Sequence, residues 1–268
     1  MTGGMTGWLR YPRILSICWR AAVSTELEYR LNFASNALLS LFWMVWAAAG
    51  ASVYFQFTGG LAGWTYPELL VVIGLFFTVN GLRQLLFQPN LERMADYVRR
   101  GTLDFLLTKP VDAQLLVSLR HIGIHNALDP VLGLALTGTA LALSGTAVSV
   151  GALASFVLVF GAALALLYAL MLALMALSVV LVGAEELDQV AFGAVELSRF
   201  PVQLYRNPLQ TVLTVVPVAF LTTFPAQALL GRLEPALLLA SPAVSLVAVT
   251  LATLLWRRSL RHYAGASA

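Results

Sequence analysis

Charge is what this 268-residue chain has least of. Asp, Glu, Lys and Arg together make up 11% of it, less than half of the roughly 25% usual in a soluble domain, which excludes a water-soluble globule. A single cysteine, Cys18, leaves no intrachain disulfide to form, and no Cys/His spacing suits a structural metal. No G-x-x-x-x-G-K-[ST] loop is present to cradle a nucleotide. H-E-x-x-H and G-x-S-x-G are missing too. Glu185–Glu186 superficially matches a glutamate-pair protease but lacks the arginine that should follow it. An intramembrane enzyme is therefore disfavoured. What is present is apolar: 59% hydrophobic residues and a mean hydropathy of +0.83, too rich for disorder. The composition implies an all-α polytopic membrane protein with a single domain over 1–268.

A helix needs about 20 apolar residues to cross a bilayer. The apolar stretches predict six spans, at 34–57, 67–88, 122–143, 151–183, 208–230 and 236–256. Pro217 and Pro225 interrupt the fifth. Proline removes a backbone donor and crowds the preceding turn, so a kinked helix followed by a short re-entrant piece before Arg232 is expected. Residues 8–30 mix Trp8, Ile14, Leu15, Trp19 and Leu27 with arginines, the pattern of an amphipathic helix lying in the interface. The arginines and the short apolar run there do not suit a cleavable signal peptide.

The basic residues set the expected orientation. Six spans put both termini on one side, with Arg10, Arg13, Arg20, Arg30, Arg83, Arg93, Arg99, Arg100, Lys109, Arg120, Arg199, Arg206, Arg257, Arg258 and Arg261. Only Arg232 of the 16 basic residues falls on the other side. Both termini are therefore expected in the cytoplasm.

The 89–112 loop carries the most information. Gly101 suits the left-handed position that closes a helix. Thr102 suits the N-cap of a second helix, and Asp104 its positive first turn. Leu103, Leu106 and Leu107 line one face, Lys109 closes the last turn and Pro110 stops it. Such a helix, projecting into water, is expected to find nothing in its own chain to bury its leucines against and to seek a partner's groove.

The run from Arg99 to Val111, which includes Arg100, Gly101, Thr102 and Pro110, resembles the coupling-helix region of bacterial ABC-2-type permeases. It is most similar to the subgroup related to daunorubicin-type exporters. The segments Arg199–Phe200–Pro201 and Val216–Pro217–Val218–Ala219–Phe220, and the six-span layout with its interfacial and re-entrant pieces, resemble it as well. The resemblance implies a permease subunit in a bacterial inner membrane, paired with a second permease, identical or related, and with two cytoplasmic ATPase subunits. Those partners would bind ATP and Mg; this chain would bind no cofactor. Residues 101–110 would then be the coupling helix, and the transport would be export of an amphipathic or lipid-like cargo by alternating access or lateral gating. Lipid, not nucleic acid, is the expected surrounding. A channel or ion-coupled carrier working without an ATPase is the alternative.

In the related permeases spans one, two and five surround the route. The corresponding candidates for a substrate path are Trp43, Trp46, Phe76, Asn80, Arg83, Pro217 and Phe220. Ionisable groups at membrane depth are costly. His121, His125 and Asp129, spaced by four, are expected one above another on a helix, paired with Arg83 or the cytoplasmic loops. Glu185, Glu186 and Asp188 are expected to pair with Arg199, Arg206 or the coupling segment.

Overall fold

A computed structural model describes residues 16–20, 23–24, 30–58, 60–109, 111–181, 187–205, 208 and 218–263. Among them the only strand-like feature is an isolated bridge between Leu61 and Trp64. Helix α1 (Arg30–Phe57) is exposed along most of its length. α2 (Tyr66–Leu82), a π-helical turn (Arg83–Phe87) and α3 (Gln88–Arg99) form one uninterrupted rod. There follow α4 (Asp104–Leu107), α5 (Ala113–Leu119), α6 (Leu128–Ser144) and α7 (Val150–Val180). The chain ends with α8 (Leu187–Glu196), α9 (Thr223–Leu229) and α10 (Pro235–His262).

Among the described residues five helices are long and apolar enough to cross a membrane: Phe33–Phe57, Tyr66–Arg99, Ile124–Ser144, Val150–Val180 and Pro235–His262. They correspond to five of the six expected spans. Most of the expected fifth, with Pro217, lies outside the described residues. Its described part, 218–230, is a turn and the short helix α9, buried almost throughout. Of the expected interfacial helix, residues 16–20 are described as helical.

The second span runs further than its apolar pattern, which ends at 88. Pro89 has no N–H for the Leu85 carbonyl, and its ring would crowd the turn below. The helix widens into the π turn there, and Leu85 O instead accepts from Gly123 N at 2.8 Å. With its proline absorbed, the rod continues to Arg99. Thirty-four residues at 1.5 Å each make it about 50 Å long, well over the roughly 30 Å hydrocarbon core.

Helices α2 and α6 meet backbone to backbone. A Cβ on Gly81 would fall 2.6 Å from Pro130 Cδ, and one on Gly133 would fall 2.6 Å from Gly74 O. Thr78 and Thr137 turn their hydroxyls back to Gly74 O and Gly133 O, both at 2.9 Å, so the crossing buries no unpaired hydroxyl there. Small residues that let backbones approach are how helices associate in lipid, where hydrophobicity gives no preference.

At the other end of α2, Thr65 and Glu68 form a capping box, with Thr65 N donating to Glu68 Oε2 at 2.9 Å. The buried Glu68 carboxylate also pairs with Arg232, just beyond α9. That pair fixes the start of the second span to the entrance of the last.

Candidate functional site

The segment expected to couple is built by the break after α3. Gly101 has φ +63°. Its N–H bonds Val98 O at 3.1 Å, and Thr102 N–H reaches back to Tyr97 O at 2.9 Å, the paired bonds of a Schellman closure. Gly101 therefore takes the helix-closing place expected of it. Thr102 makes no capping bond with its side chain, and the cap position of α4 falls on Leu103. Asp104 opens α4 as expected. Desolvation first, and then the Asp104 charge, push up the phenol of Tyr263 at the end of α10. Pro110 lies outside the described residues.

The leucine face overturns the expectation. Leu103 is 0% exposed and Leu106 4%, and Leu107 is half-buried against the core. The Schellman turn swings the four-residue helix back onto its own chain, which supplies the groove that the sequence pattern leaves to a partner. What points outward is Phe105, 72% exposed, with Arg99, Arg100, Thr108 and Lys109 exposed beside it.

Several polar ties brace this segment. The Asp112 carboxylate caps α5, accepting from Leu115 N at 3.0 Å. Gln114 Nε2 donates to Tyr168 OH at 2.9 Å and to Thr253 Oγ1 at 3.2 Å, tying α5 to α7 and α10. Asn90 donates to Leu86 O and His121 O, both at 2.7 Å, and accepts from His121 N at 2.9 Å. A lone Gln or Asn next to an apolar run was the available signal for these ties, and sequence reading passed over both.

His121, His125 and Asp129 do not share a helix face. Residues 120–123 are non-helical, His125 lies in a single 3-10 turn (Ile124–Asn126), and α6 begins at Leu128. Among the described residues no group of three His, Cys, Asp or Glu side chains suits a metal. His121 faces Arg93, whose Nη1 lies 2.7 Å from Nδ1, and Tyr97, whose hydroxyl lies 3.0 Å from Nε2. Burial first, then the Arg93 and Arg120 charges, lower its pKa to about 4. The unfolded chain takes up a proton near pH 6.5 and the folded chain does not. This site therefore adds no pH dependence above 6.5 and costs stability increasingly from 6.5 down to about 4. His121→Gln is expected to flatten the acid side of a thermal-stability profile over that window while leaving the neutral side near wild type.

Arg83 also departs from its expected role on an open path. Its side chain is 3% exposed and forms an ion pair with Asp188 at 2.6 Å. Asn80 Oδ1 accepts from its Nε at 3.2 Å, and the Phe192 ring lies 5.7 Å from the guanidinium. Asp188 is thus taken by Arg83 rather than by Arg199 or the coupling segment; Glu185, Glu186 and Arg206 lie outside the described residues. Arg199 pairs with Glu196 at 2.7 Å and sits 4.8 Å over the ring of Phe76. Phe76 is ten residues beyond Tyr66, about 15 Å along α2. Arg199 therefore lies at mid-height in the bundle, not in a loop beyond the 83–99 end. After Asp188 the chain turns back along α2, and charge counting alone treats that return as a loop.

The proposed path residues separate into two groups. Trp43 and Trp46 are exposed on α1, whereas Phe76 and Phe220 are buried in the chain's own core. Asn80 is half-buried and spent on Arg83, and Pro217 lies outside the described residues. The structure does not bring these residues onto one open wall.

Comparison with known proteins agrees with this architecture. A family described as ABC-2 family transporter protein matches residues 41–267. No curated protein and no solved structure matches significantly. That match covers all five membrane-crossing helices but the first turns of α1, together with the break at Gly101. The chain belongs to the ABC-2 transporter family and is a multi-pass transmembrane permease component without an ATP-binding cassette of its own.

Proposed function

We propose that this permease is driven by separate cytoplasmic ATPase subunits, two per assembly with a second permease, and that it exports an amphipathic, lipid-like cargo. The observation that carries the reading is Phe105. A large aromatic ring stands in the open on a helix whose neighbours Leu103 and Leu106 are locked into the core. An exposed aromatic on a rigid base suits a hot spot filling a partner's pocket. Arg100 and Lys109 would form its polar rim. The ties through Gln114 and Asn90 would pass a displacement of this tip to α7, α10 and the 120–123 lead-in to α6. Exposed Trp43 and Trp46 on α1 support a cargo that travels at the lipid-facing side.

The test is co-purification in mild detergent, followed by ATP-dependent transport in vesicles. Phe105→Asp is expected to weaken ATPase association by about thirty-fold, a loss of roughly 2 kcal/mol typical of a hot spot, with the permease still monodisperse. Leu103→Asp, by contrast, is expected to unfold the segment. Unchanged association with Phe105→Asp would overturn the docking assignment. Transport persisting without nucleotide would favour the channel or ion-coupled alternative.

A further inference from the structure

Beside the coupling segment lies a concentration of positive charge, Arg93 and Arg120, with which no carboxylate among the described residues forms an ion pair. Arg93 turns one guanidinium nitrogen, Nη1, to the His121 ring. Arg120, next to His121 in the chain, acts electrostatically on the same ring. The two acids on the same helix as Arg93 are engaged elsewhere: Glu92 accepts from Gln88 Nε2 at 2.8 Å, and Asp96 pairs with Arg99 at 2.5 Å. His121, nearly always neutral at physiological pH, adds no third charge: its Nδ1 accepts from Arg93, which leaves the proton on Nε2, facing the Tyr97 hydroxyl. Like charges gathered this way are unfavourable unless an anion joins them.

Depth identifies which anion. Asn90, hydrogen-bonded to His121, is 24 residues beyond Tyr66, or about 36 Å along the rod. That exceeds the roughly 30 Å hydrocarbon core and falls within the headgroup zone, which extends the total to about 40–45 Å. The indole of Trp19 lies at the same level, donating from Nε1 to Leu119 O at 3.1 Å, one residue before Arg120. Tryptophan is enriched at headgroup depth. Around Trp19 an open cavity of about 480 Å³ is lined by Ser16, Arg20, Val23 and Ser24, apolar over most of its wall with one more arginine at its side.

We infer that Arg93 and Arg120, with Trp19 beside them, hold the headgroup phosphate of an anionic phospholipid, whose glycerol and upper acyl portion lie against Trp19, Arg20 and Val23. This site is independent of the ATPase reading and carries no cargo. It would keep the N-terminal segment seated against the 119–121 loop through a lipid as well as through the Trp19 bond.

The experiment titrates the full-length purified permease, delipidated in detergent, with phosphatidylglycerol or phosphatidylcholine. Retained lipid per chain is read by native mass spectrometry. An arginine near an anionic headgroup contributes roughly five-fold in affinity. The double variant Arg93→Gln/Arg120→Gln is therefore expected to need about thirty-fold more phosphatidylglycerol for half-occupancy. Arg120→Gln alone, which breaks no hydrogen bond, is expected to need about five-fold more and serves if the double variant aggregates. Arg257→Gln/Arg258→Gln, exposed on α10, should bind as wild type does. Equal half-occupancy in the wild type and both arginine variants would overturn the inference. So would equal retention of phosphatidylcholine, or displacement of the lipid by soluble glycerol phosphate at comparable concentration.

Discussion

Replacing Asp188 with Asn is expected to destabilise the protein by about 3–5 kcal/mol, the cost of leaving one member of a buried ion pair without the other. Arg83 would remain 3% exposed, with Asn80, the Phe192 ring and the weaker field of Glu92 left to offset its charge. Water cannot reach it, and arginine does not discharge by losing its proton. The double variant Arg83→Leu/Asp188→Leu should recover most of the loss, because a buried pair replaced by apolar groups of similar volume is often neutral. Half-life at elevated temperature in detergent, compared across the two singles and the double, measures the coupling. A wild-type half-life for Asp188→Asn would show that the pair does not hold α8 to α2. The pair is reinforced by reciprocal stacking, since Arg83 at the end of α2 lies on Phe192 of α8 while Arg199, just past α8, lies on Phe76 of α2.

Gly133→Leu is expected to abolish stable folding, and Gly133→Ala to cost about 1–3 kcal/mol, as overpacking does. The added carbon would meet Thr78 N at 2.5 Å and Gly74 O at 2.6 Å. Both are backbone atoms of α2, so no side-chain rotation relieves the clash and the helices must separate. A Cβ on Gly138, in the same helix, would meet nothing within 4 Å. Gly138→Ala is therefore expected to be neutral or to stabilise by up to about 1 kcal/mol through helix propensity. Expression level and thermal half-life of the three variants check the contrast. If Gly133→Ala behaves like Gly138→Ala, the close crossing of α2 and α6 is wrong.

Hydropathy made five membrane helices legible because each is a long run of one character, and Gly101 was legible because few other residues accept its backbone angle. The direction of the Leu103–Leu107 stripe was not. Periodicity shows that leucines share a face, but not whether the chain doubles back to cover it. Pro89 marks a loop by local rules, yet a widened turn and a donor from the distant Gly123 let the helix continue. Charge counting puts Arg199 on one side of the membrane, since it has no means of seeing a segment return into the bundle. Among the candidate path residues, Phe76 and Arg83 are occupied by Arg199 and Asp188, the latter 105 positions away. Pairings of that kind leave no trace in local spacing.

The π turn has one more consequence, which concerns phase. An extra residue in a helix advances everything after it by about a quarter turn relative to what precedes it. The positions of α2 that touch α6 are Gly74, Thr78 and Gly81, and the contact continues through the π turn at Gln84 and Leu85 and then at Pro89, all three against Gly123 in the lead-in. The irregular turn works as a vernier. It lets a single straight mast keep the same neighbour on one side from the membrane interior to the exposed tip, where an unbroken 3.6-residue winding would have drifted away.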